Sequence, residues 1–414
     1  MEKKSSTEKA EDQAMLERAL KLVSPCDRCG ACLPVCPLFA AKDVESSAAR
    51  GKNTLTRALA GGVVEPSAAL LEAAGFCLLC RTCVDNCPNK VATDEAMVDV
   101  RQYLINHTGA LNAKYRAVGS FLRSPTLVKL AAGGLALLRK TGLNRLVPYG
   151  SAPDEYTRTH FLTAFAGPAA LGTPAVTAPK PIPAGAKVGY FYGCGMRMMF
   201  PSAAADTLKI LGTVSQPILK ENVCCGLPHL AHGLRETFLA LAKENIRQFE
   251  AVDIVVSDCA SCGGTLKHLA SWFADDPEWK ERAAAFSAKV LDLTEYLVQV
   301  GYTPRRRIEA TLTYHDPCHL VRGQGITKPP RELLKATGTY VEMDAAALCC
   351  GGAGSFHMDY PAVSARIVTR KKESIERTGA RIVATGCPGC LIQLSKAARA
   401  SGGRFQAMHI SQVI

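Results

Sequence analysis

The eighteen cysteines of this 414-residue chain fall into four groups by spacing, and each spacing implies a chemistry. Cys26-x-x-Cys29-x-x-Cys32-x-x-x-Cys36-Pro37 is followed by Cys77-x-x-Cys80-x-x-Cys83-x-x-x-Cys87-Pro88. A run of this kind lets a tight loop present one thiolate to each corner of a cubane [4Fe–4S] cluster, and the fourth cysteine of one run ligates the cluster of the other. The spacing therefore predicts one cubane on Cys26, Cys29, Cys32 and Cys87, and a second on Cys77, Cys80, Cys83 and Cys36. The proline after each fourth cysteine turns the chain and stops a helix there. The remaining ten cysteines form two sets of five: Cys194, Cys224-Cys225-Gly226, Cys259 and Cys262, then Cys318, Cys349-Cys350-Gly351, Cys387 and Cys390.

Five thiolates exceed the four that a cubane needs. Adjacent cysteines on an extended chain point in diverging directions, so one can bridge two irons while its neighbour caps one. Each set is thus expected to hold one further iron–sulfur cluster, in an open, non-cubane form or as a cubane with a spare thiol. Gly226 and Gly351 let the backbone approach closely. Zinc competes for these two sets, since thiolates alone do not exclude it. It does not suit the eight cysteines of the tandem runs. A disulfide framework suits short secreted chains, not this one. His315 and His319 flank Cys318 and are expected to pack or hydrogen-bond in the loop, with a ligand or proton-donor role as the alternative. Asp258 and Asp316, each just before a cysteine, are expected to be caps or solvated charges. The chain has no G-x-G-x-x-G after a strand and no P-loop, and Gly351-Gly352-Ala353-Gly354 reads as cluster-loop backbone.

The elements that must position these residues alternate. After Lys187 the chain repeats itself. One unit opens with a strand Val188 to Tyr192 leading to Cys194, the other with Thr311 to Tyr314 leading to Cys318. Each then has a helix, a short strand (Pro217 to Leu219; Tyr340 to Met343), the Cys-Cys-Gly, and a second helix (Thr237 to Phe249; Ser364 to Arg377). A strand then feeds each Cys-x-x-Cys (Asp253 to Val256; Arg381 to Ala384), and both units close on similar runs (Val290 to Thr294; Met408 to Ser411). This alternation implies parallel sheets with the cysteines at their carboxyl ends. The fold class expected is an α+β ferredoxin-like or helical N-terminal module with two [4Fe–4S] runs, followed by two α/β Cys-Cys-Gly units with parallel sheets. The expected boundaries are 1–100 for the two-cluster module, 101–186 for a basic helical segment and a Pro/Ala-rich linker, 187–300 for the first Cys-Cys-Gly unit and 301–414 for the second. In the lead-in, Met15, Leu16, Leu20 and Val23 are expected on one side of a short helix.

The composition, 48% hydrophobic with a net charge of +12, suits a protein with sizeable cores. No apolar run approaches a membrane span. The charged start, Met1 through Asp12, lacks the apolar centre of a secretory leader. The expectation is a cytoplasmic protein in a reducing compartment. Between Asp99 and Asp154 there is no acidic residue, while Arg101, Lys114, Arg116, Arg123, Lys129, Arg139, Lys140 and Arg145 are present. Such a basic, apolar stretch predicts peripheral contact with the inner face of the cytoplasmic membrane or with a partner; a merely solvated linker helix is the alternative. With no nucleic-acid motif and little aromatic interleaving, nucleic-acid binding is not expected.

Taken together, the tandem ferredoxin runs, the Ala49-Arg50-Gly51 segment between them, the basic middle and the two Cys-Cys-Gly units resemble the iron–sulfur subunit of glycolate oxidase and its lactate-utilisation relatives. The likeness covers nearly the whole chain. The iron–sulfur subunit of anaerobic glycerol-3-phosphate dehydrogenase has the same layout, and heterodisulfide reductase subunits join the same modules, with non-cubane clusters that cleave a disulfide. Some glycolate oxidase subunits lack one cysteine of a Cys-x-x-Cys pair; here both pairs are complete. The resemblance implies an electron-transfer subunit of an oxidoreductase. It would take electrons from an FAD-containing partner that oxidises a 2-hydroxy acid, glycolate or lactate, and pass them to a quinone or another carrier. The alternatives it implies are a disulfide reductase and a glycerol-3-phosphate dehydrogenase subunit. The hydroxy acid itself is expected to bind the partner.

Overall fold

The computed structural model describes residues 6–109, seven positions between 117 and 130, and residues 182, 183 and 185–414. Most of the basic stretch 101–150 and of the linker 151–186 lies outside the described residues. The chain divides into two compact units, one of residues 1–119 with 228–238 and one of residues 120–227 with 239–414.

Among its described residues the first unit is helical. Helix Ser6–Val23 packs on helix Thr93–Thr108 through Leu16, Ala19, Val23, Ala96, Met97, Val100 and Leu104. The buried stripe runs Asp12, Leu16, Ala19, Val23, and Leu20 is 36% exposed. The expected side of this helix was therefore one step off: a spacing of three or four residues places Ala19, not Leu20, in line with Leu16 and Val23. Arg18 forks onto the buried carboxylate of Asp99 with bonds of 2.7 and 2.6 Å, tying the two helices together. Helix Ala49–Ala60 lies between the two cysteine runs in sequence.

Among its described residues the second unit contains eight strands: β1 Val188–Tyr190, β2 Ile218–Leu219, β3 Ile254–Ser257, β4 Val290–Asp292, β5 Ile308–Tyr314, β6 Gly338–Tyr340, β7 Ile382–Thr385 and β8 Gln406–His409. They form two four-stranded sheets in the orders β2-β1-β3-β4 and β6-β5-β7-β8. All pairings are parallel. The same strand order in both halves is the structural counterpart of the sequence repeat. β3 is buried throughout and β7 nearly so, as strands covered on both faces must be. One core takes side chains from both sheets, among them Tyr190, Val256, Leu312, Tyr314, Ala384 and Ile410. Two boundaries differ from the sequence reading. The strand expected at Tyr340 to Met343 lies at Gly338–Tyr340. The closing runs turn helical sooner, because Asp292 accepts from Thr294 N–H and His409 from Ser411 N–H, each capping a helical turn.

Candidate metal centres

Two hollows in the first unit are walled by cysteines. One, of about 430 Å³, is lined by Cys26, Cys29, Cys32 and Cys87, with Cys83 on its edge. The other, of about 410 Å³, is lined by Cys36, Cys77, Cys80 and Cys83. Ala49, Cys83 and Thr93 line both, so the hollows share a wall. Each contains three cysteines of one run and the fourth of the other.

The backbone makes these walls by the same device twice. Arg28 and Gly30 in the first run, and Leu79 and Arg81 in the second, all have positive φ, between 51° and 86°. They occupy equivalent positions, two and four residues after the first cysteine. A left-handed residue curls the chain and turns its N–H groups inward, a conformation that costs about 1 kcal/mol or more for a residue with a Cβ. Arginines then hold the approach to each loop. Arg57 donates to the carbonyls of Val23, Ser24 and Cys26 at 2.9–3.0 Å. Arg101 donates to those of Ala74, Gly75 and Cys77 at 2.9–3.1 Å, and to that of Ala231 at 2.8 Å. Arg101 begins the basic stretch, yet it is buried and braces the second run.

The Ala49-Arg50-Gly51 segment has three distinct jobs here. Ala49 lines both hollows. Arg50 pairs with Glu45 and reaches the Arg28 carbonyl at 3.3 Å. Gly51 packs so tightly that a Cβ would lie 2.5 Å from the Glu45 carbonyl oxygen. Next to it, the buried Lys52 donates to the carbonyls of Ser46 and Ser47 at 2.8 and 3.1 Å. Burial lowers the pKa of its amine, and the thiols Cys77 and Cys36 oppose that shift. Burial also pushes the Cys36 thiol up to about 11.

In the second unit the ten remaining cysteines sit where the sequence puts them, after strands. Nine form a row of thiols in contact. Cys194 Sγ lies 3.6 Å from Cys224 Sγ. Cys225 is hydrogen-bonded to Cys224 and Cys262, Cys262 to Cys259, and Cys259 to Cys387. Cys387 continues to Cys390, which lies 3.4 Å from Cys350, and Cys350 to Cys349. In the first repeat the adjacent thiols touch each other, and each reaches a further partner: Cys224 meets Cys194, and Cys225 meets Cys262. Gly226 and Gly351, with φ of 88° and 77°, each turn an N–H onto a thiol, Cys224 and Cys349, at 3.5 Å. Cys318 opens helix Cys318–Gln324 and is half-buried.

The row crosses from one repeat to the other at the Cys-x-x-Cys pairs. Cys259 and Cys387 cap helices Ala260–Lys267 and Pro388–Ala400. Ala260 N–H donates to the Gly386 carbonyl at 2.8 Å, and Ser261 Oγ lies 3.3 Å from Cys387 Sγ. His319 Nδ1 lies 3.2 Å from that same hydroxyl, so it has the packing role expected of it. Asp258 and Asp316 are not solvated. Asp258 is buried, held by Thr207 and, at 3.3 Å, by Tyr190, and its carbonyl accepts from His409 Nε2 at 2.9 Å. Asp316 is buried beneath a two-bond fork from Arg331 at 2.9 and 2.8 Å. A carboxylate directly before a ligand loop is thus an anchor for that loop.

Hydrogen bonds from neighbouring thiols lower the pKa of three of them. Cys225 is lowered to about 5, by Cys224 first and then Cys262. Cys350 is lowered by Cys349 and Cys390, and Cys387 by Cys259 and Cys390. Lys371, fully buried, bonds the carbonyls of Ala345 and Ala346. Burial brings its pKa down to about 8, against the opposing pull of Cys350, Cys349 and Cys390. His315 is fully buried beside Cys350 and Cys390, its pKa lowered to about 3 by burial and then by Lys371. All eighteen cysteines are free of disulfides, and a crowd of buried cysteine sulfurs with nearby cations is a donor set for a soft metal centre. The residues present therefore fit iron–sulfur clusters.

Two domain families match the chain. One described as "4Fe-4S dicluster domain" matches residues 22–91, and one described as "Cysteine-rich domain" matches twice, over 188–267 and 312–395. The probable glycolate oxidase iron–sulfur subunit of Bacillus subtilis is 30% identical over 94% of this chain and 92% of its own length. The chain belongs to the glycolate oxidase iron–sulfur subunit family. Lactate utilization protein A of Shouchella clausii is 31% identical over 55% of this chain and 98% of its own. A fumarate reductase (CoM/CoB) subunit of Methanothermobacter marburgensis is 29% identical over 56% of this chain and 46% of its own. Membership makes this an iron–sulfur, electron-transfer subunit of oxidoreductase type. No described helix is long and apolar enough to cross a membrane.

Lys52 and Lys371 went unread in the sequence, and Arg101 was read only as one charge of the basic stretch. Lys52, Arg101 and Lys371 each stand on the buried face of an amphipathic helix. Lys371 follows Val363 and Ile367 at intervals of four and precedes Ile375 by four. A cation in an apolar register is the signal that would have found all three.

Proposed function

We propose that this chain relays electrons, one at a time, from an FAD-containing 2-hydroxy-acid dehydrogenase subunit acting on glycolate or lactate to a quinone or another carrier. Oxidation of the hydroxy acid releases two electrons and two protons to the partner's flavin. The role of this chain is to accept those electrons singly. In this reading Cys26, Cys29, Cys32 and Cys87 hold one cubane, and Cys77, Cys80, Cys83 and Cys36 the other. Each Cys-Cys-Gly set holds a further cluster, in an open form that uses all five thiols. The four-part division at residues 100, 186 and 300, and a peripheral membrane or partner contact through 101–150, belong to the same reading.

The observation that supports it most is the pair of hollows, one lined by five cysteines and the other by four, with Ala49, Cys83 and Thr93 common to both. Two redox centres separated by a single wall favour transfer over catalysis at either one. The Arg57 and Arg101 braces suit the same role, because positive charge and hydrogen bonding around a cluster set its potential.

The test is isolation of the full chain under nitrogen, with iron, sulfide, zinc and flavin quantified and co-purifying proteins identified at low and high salt. The expected result is about sixteen irons per chain for four [4Fe–4S] clusters, no flavin on this chain, and a salt-sensitive flavoprotein partner. About eight irons with one or two zincs would overturn the Cys-Cys-Gly assignment. Flavin bound to this chain would overturn the division of labour.

A further inference from the structure

The two repeats are built alike but do not carry the same side chains at their strand ends. β1 ends at Tyr190 and β5 at Tyr314, and each tyrosine lies opposite a residue of the next strand, Val256 or Ala384. The residue that follows donates its N–H to that partner's carbonyl in both repeats: Phe191 to Val256 at 3.1 Å, and His315 to Ala384 at 2.9 Å. Both are three residues before the lone cysteine, Cys194 or Cys318. Both are fully buried. Phe191 and His315 are therefore the same position of the repeat. A phenyl ring fills it in one unit, so packing does not demand an imidazole in the other.

The imidazole of His315 also makes no hydrogen bond of normal geometry among the described residues, at either Nδ1 or Nε2, although the Ala346 carbonyl acts on it as a nearby acceptor. A buried polar atom without a well-formed partner costs about 1–3 kcal/mol, a cost that the phenyl ring of the first unit avoids. A ring nitrogen of His315 and the thiols of Cys350 and Cys390 all lie within 4.8 Å of one another. Those two thiols are 3.4 Å apart. Nitrogen and sulfur donors converge on one small volume in the second unit. At the matching position the first unit offers only carbon.

We propose that His315 is a nitrogen ligand to iron in the second Cys-Cys-Gly unit, so that this unit holds a cluster with mixed sulfur and nitrogen ligation while the first holds one bound by sulfur alone. This rests on the reading above that both units bind iron–sulfur clusters. In this ligation the imidazole takes the place at iron of one of the five thiolates that the open form would otherwise use in the second unit; it adds no negative charge where a thiolate would add one, and replacing thiolate by imidazole raises a cluster's potential. The second unit is then the better electron acceptor of the two, and electrons within the repeat run from the first unit to the second.

The test uses the full chain, isolated without oxygen, with histidine labelled by nitrogen-15. Pulsed electron paramagnetic resonance is recorded in the oxidation state that makes the second unit's cluster paramagnetic. The expected result is a strong hyperfine coupling of directly bound nitrogen that changes with the isotope. His315→Phe, which copies the first unit, is expected to abolish that coupling and lower the cluster's potential while keeping the parent's iron content to within about one iron. About sixteen irons per chain with no strongly coupled nitrogen would overturn the proposal and leave the cluster reading standing, as would a coupling that persists in His315→Phe. About eight irons in the unsubstituted chain, or zinc in the second unit, would overturn both. The labelled parent protein decides the ligation even if the variant fails to fold.

Discussion

The crossed arrangement of the two cubanes can be tested by counting iron in paired variants. In the structure Cys87 shares a hollow with Cys26, Cys29 and Cys32, and Cys36 shares one with Cys77, Cys80 and Cys83. Replacing any one of four ligands by serine destroys or cripples one cluster, a loss approaching four irons per chain. Two replacements on the same cluster lose no more than one does, and two on different clusters lose about twice as much. Cys29→Ser with Cys87→Ser is therefore expected to remove about four irons, although the two residues belong to different runs. Cys80→Ser with Cys87→Ser is expected to remove about eight, although both belong to the second run. Iron per chain is measured under nitrogen relative to the parent, with the resonance spectrum of the reduced protein to show which signal survives. The opposite pattern, about eight irons for the first pair and about four for the second, would refute the crossed assignment. Cys83, which edges both hollows, is the informative control: it must behave like Cys80 and not like Cys29.

Two further outcomes follow from packing and burial. Gly51→Ala sets a Cβ against the Glu45 carbonyl and, at 2.8 Å, the Ser46 Cα, backbone that cannot yield locally; the expected loss is about 1–3 kcal/mol, together with weaker iron retention in the hollow lined by Ser47, and an unchanged melting point and iron content would contradict it. Asp292, fully buried near Lys267 and Glu295, has a pKa raised by burial from 3.8 to about 6. The native state thus holds this proton more tightly than the unfolded chain, and stability is lost as pH rises from about 4 to 6, by about 3 kcal/mol at about 1.36 kcal/mol per unit. Denaturant titrations across that range should show the slope in the parent and not in Asp292→Asn; equal slopes would show that Asp292 does not titrate there.

The parts most legible in the sequence were those fixed by covalent spacing. Cysteine intervals group the thiols into sets, and alternating apolar strands and helices predict parallel sheets with loops at their carboxyl ends. The equal strand orders of the two sheets answer that expectation directly. What spacing cannot reveal is how buried charge is matched. Asp258 and Asp316 look like solvated carboxylates until Thr207, Tyr190 and Arg331 are seen to enclose them. Arg101 looks like one charge in a basic stretch until four carbonyls are found around it. Each of these contacts joins residues at least fifteen positions apart, beyond the reach of helical or strand periodicity. The end of β6 was misplaced for a local reason: the β-branched Val341 extends the strand pattern and still donates its N–H to the Leu312 carbonyl at 2.8 Å, but the regular strand ends at Tyr340.

The differences between the two repeats are concentrated where chemistry would be. Their strand order, glycine turns and helix-capping cysteines match. On the helix that follows Cys-Cys-Gly, the first unit places Asn245, whose amide bonds the backbone of Val223 and Cys224. The second places Lys371, whose amine bonds the carbonyls of Ala345 and Ala346. Both side chains pin the loop that carries the cysteine pair, so either would serve the fold. Only the lysine adds a positive charge beside the thiols. Burying an amine costs free energy that a neutral amide would avoid, and it is recovered only if negative charge stays nearby. A cluster that becomes more negative on accepting an electron supplies that charge. Under the ligation proposed above, Lys371 and His315 act in the same direction, both favouring the reduced form of a cluster in the second unit, and the first unit lacks both.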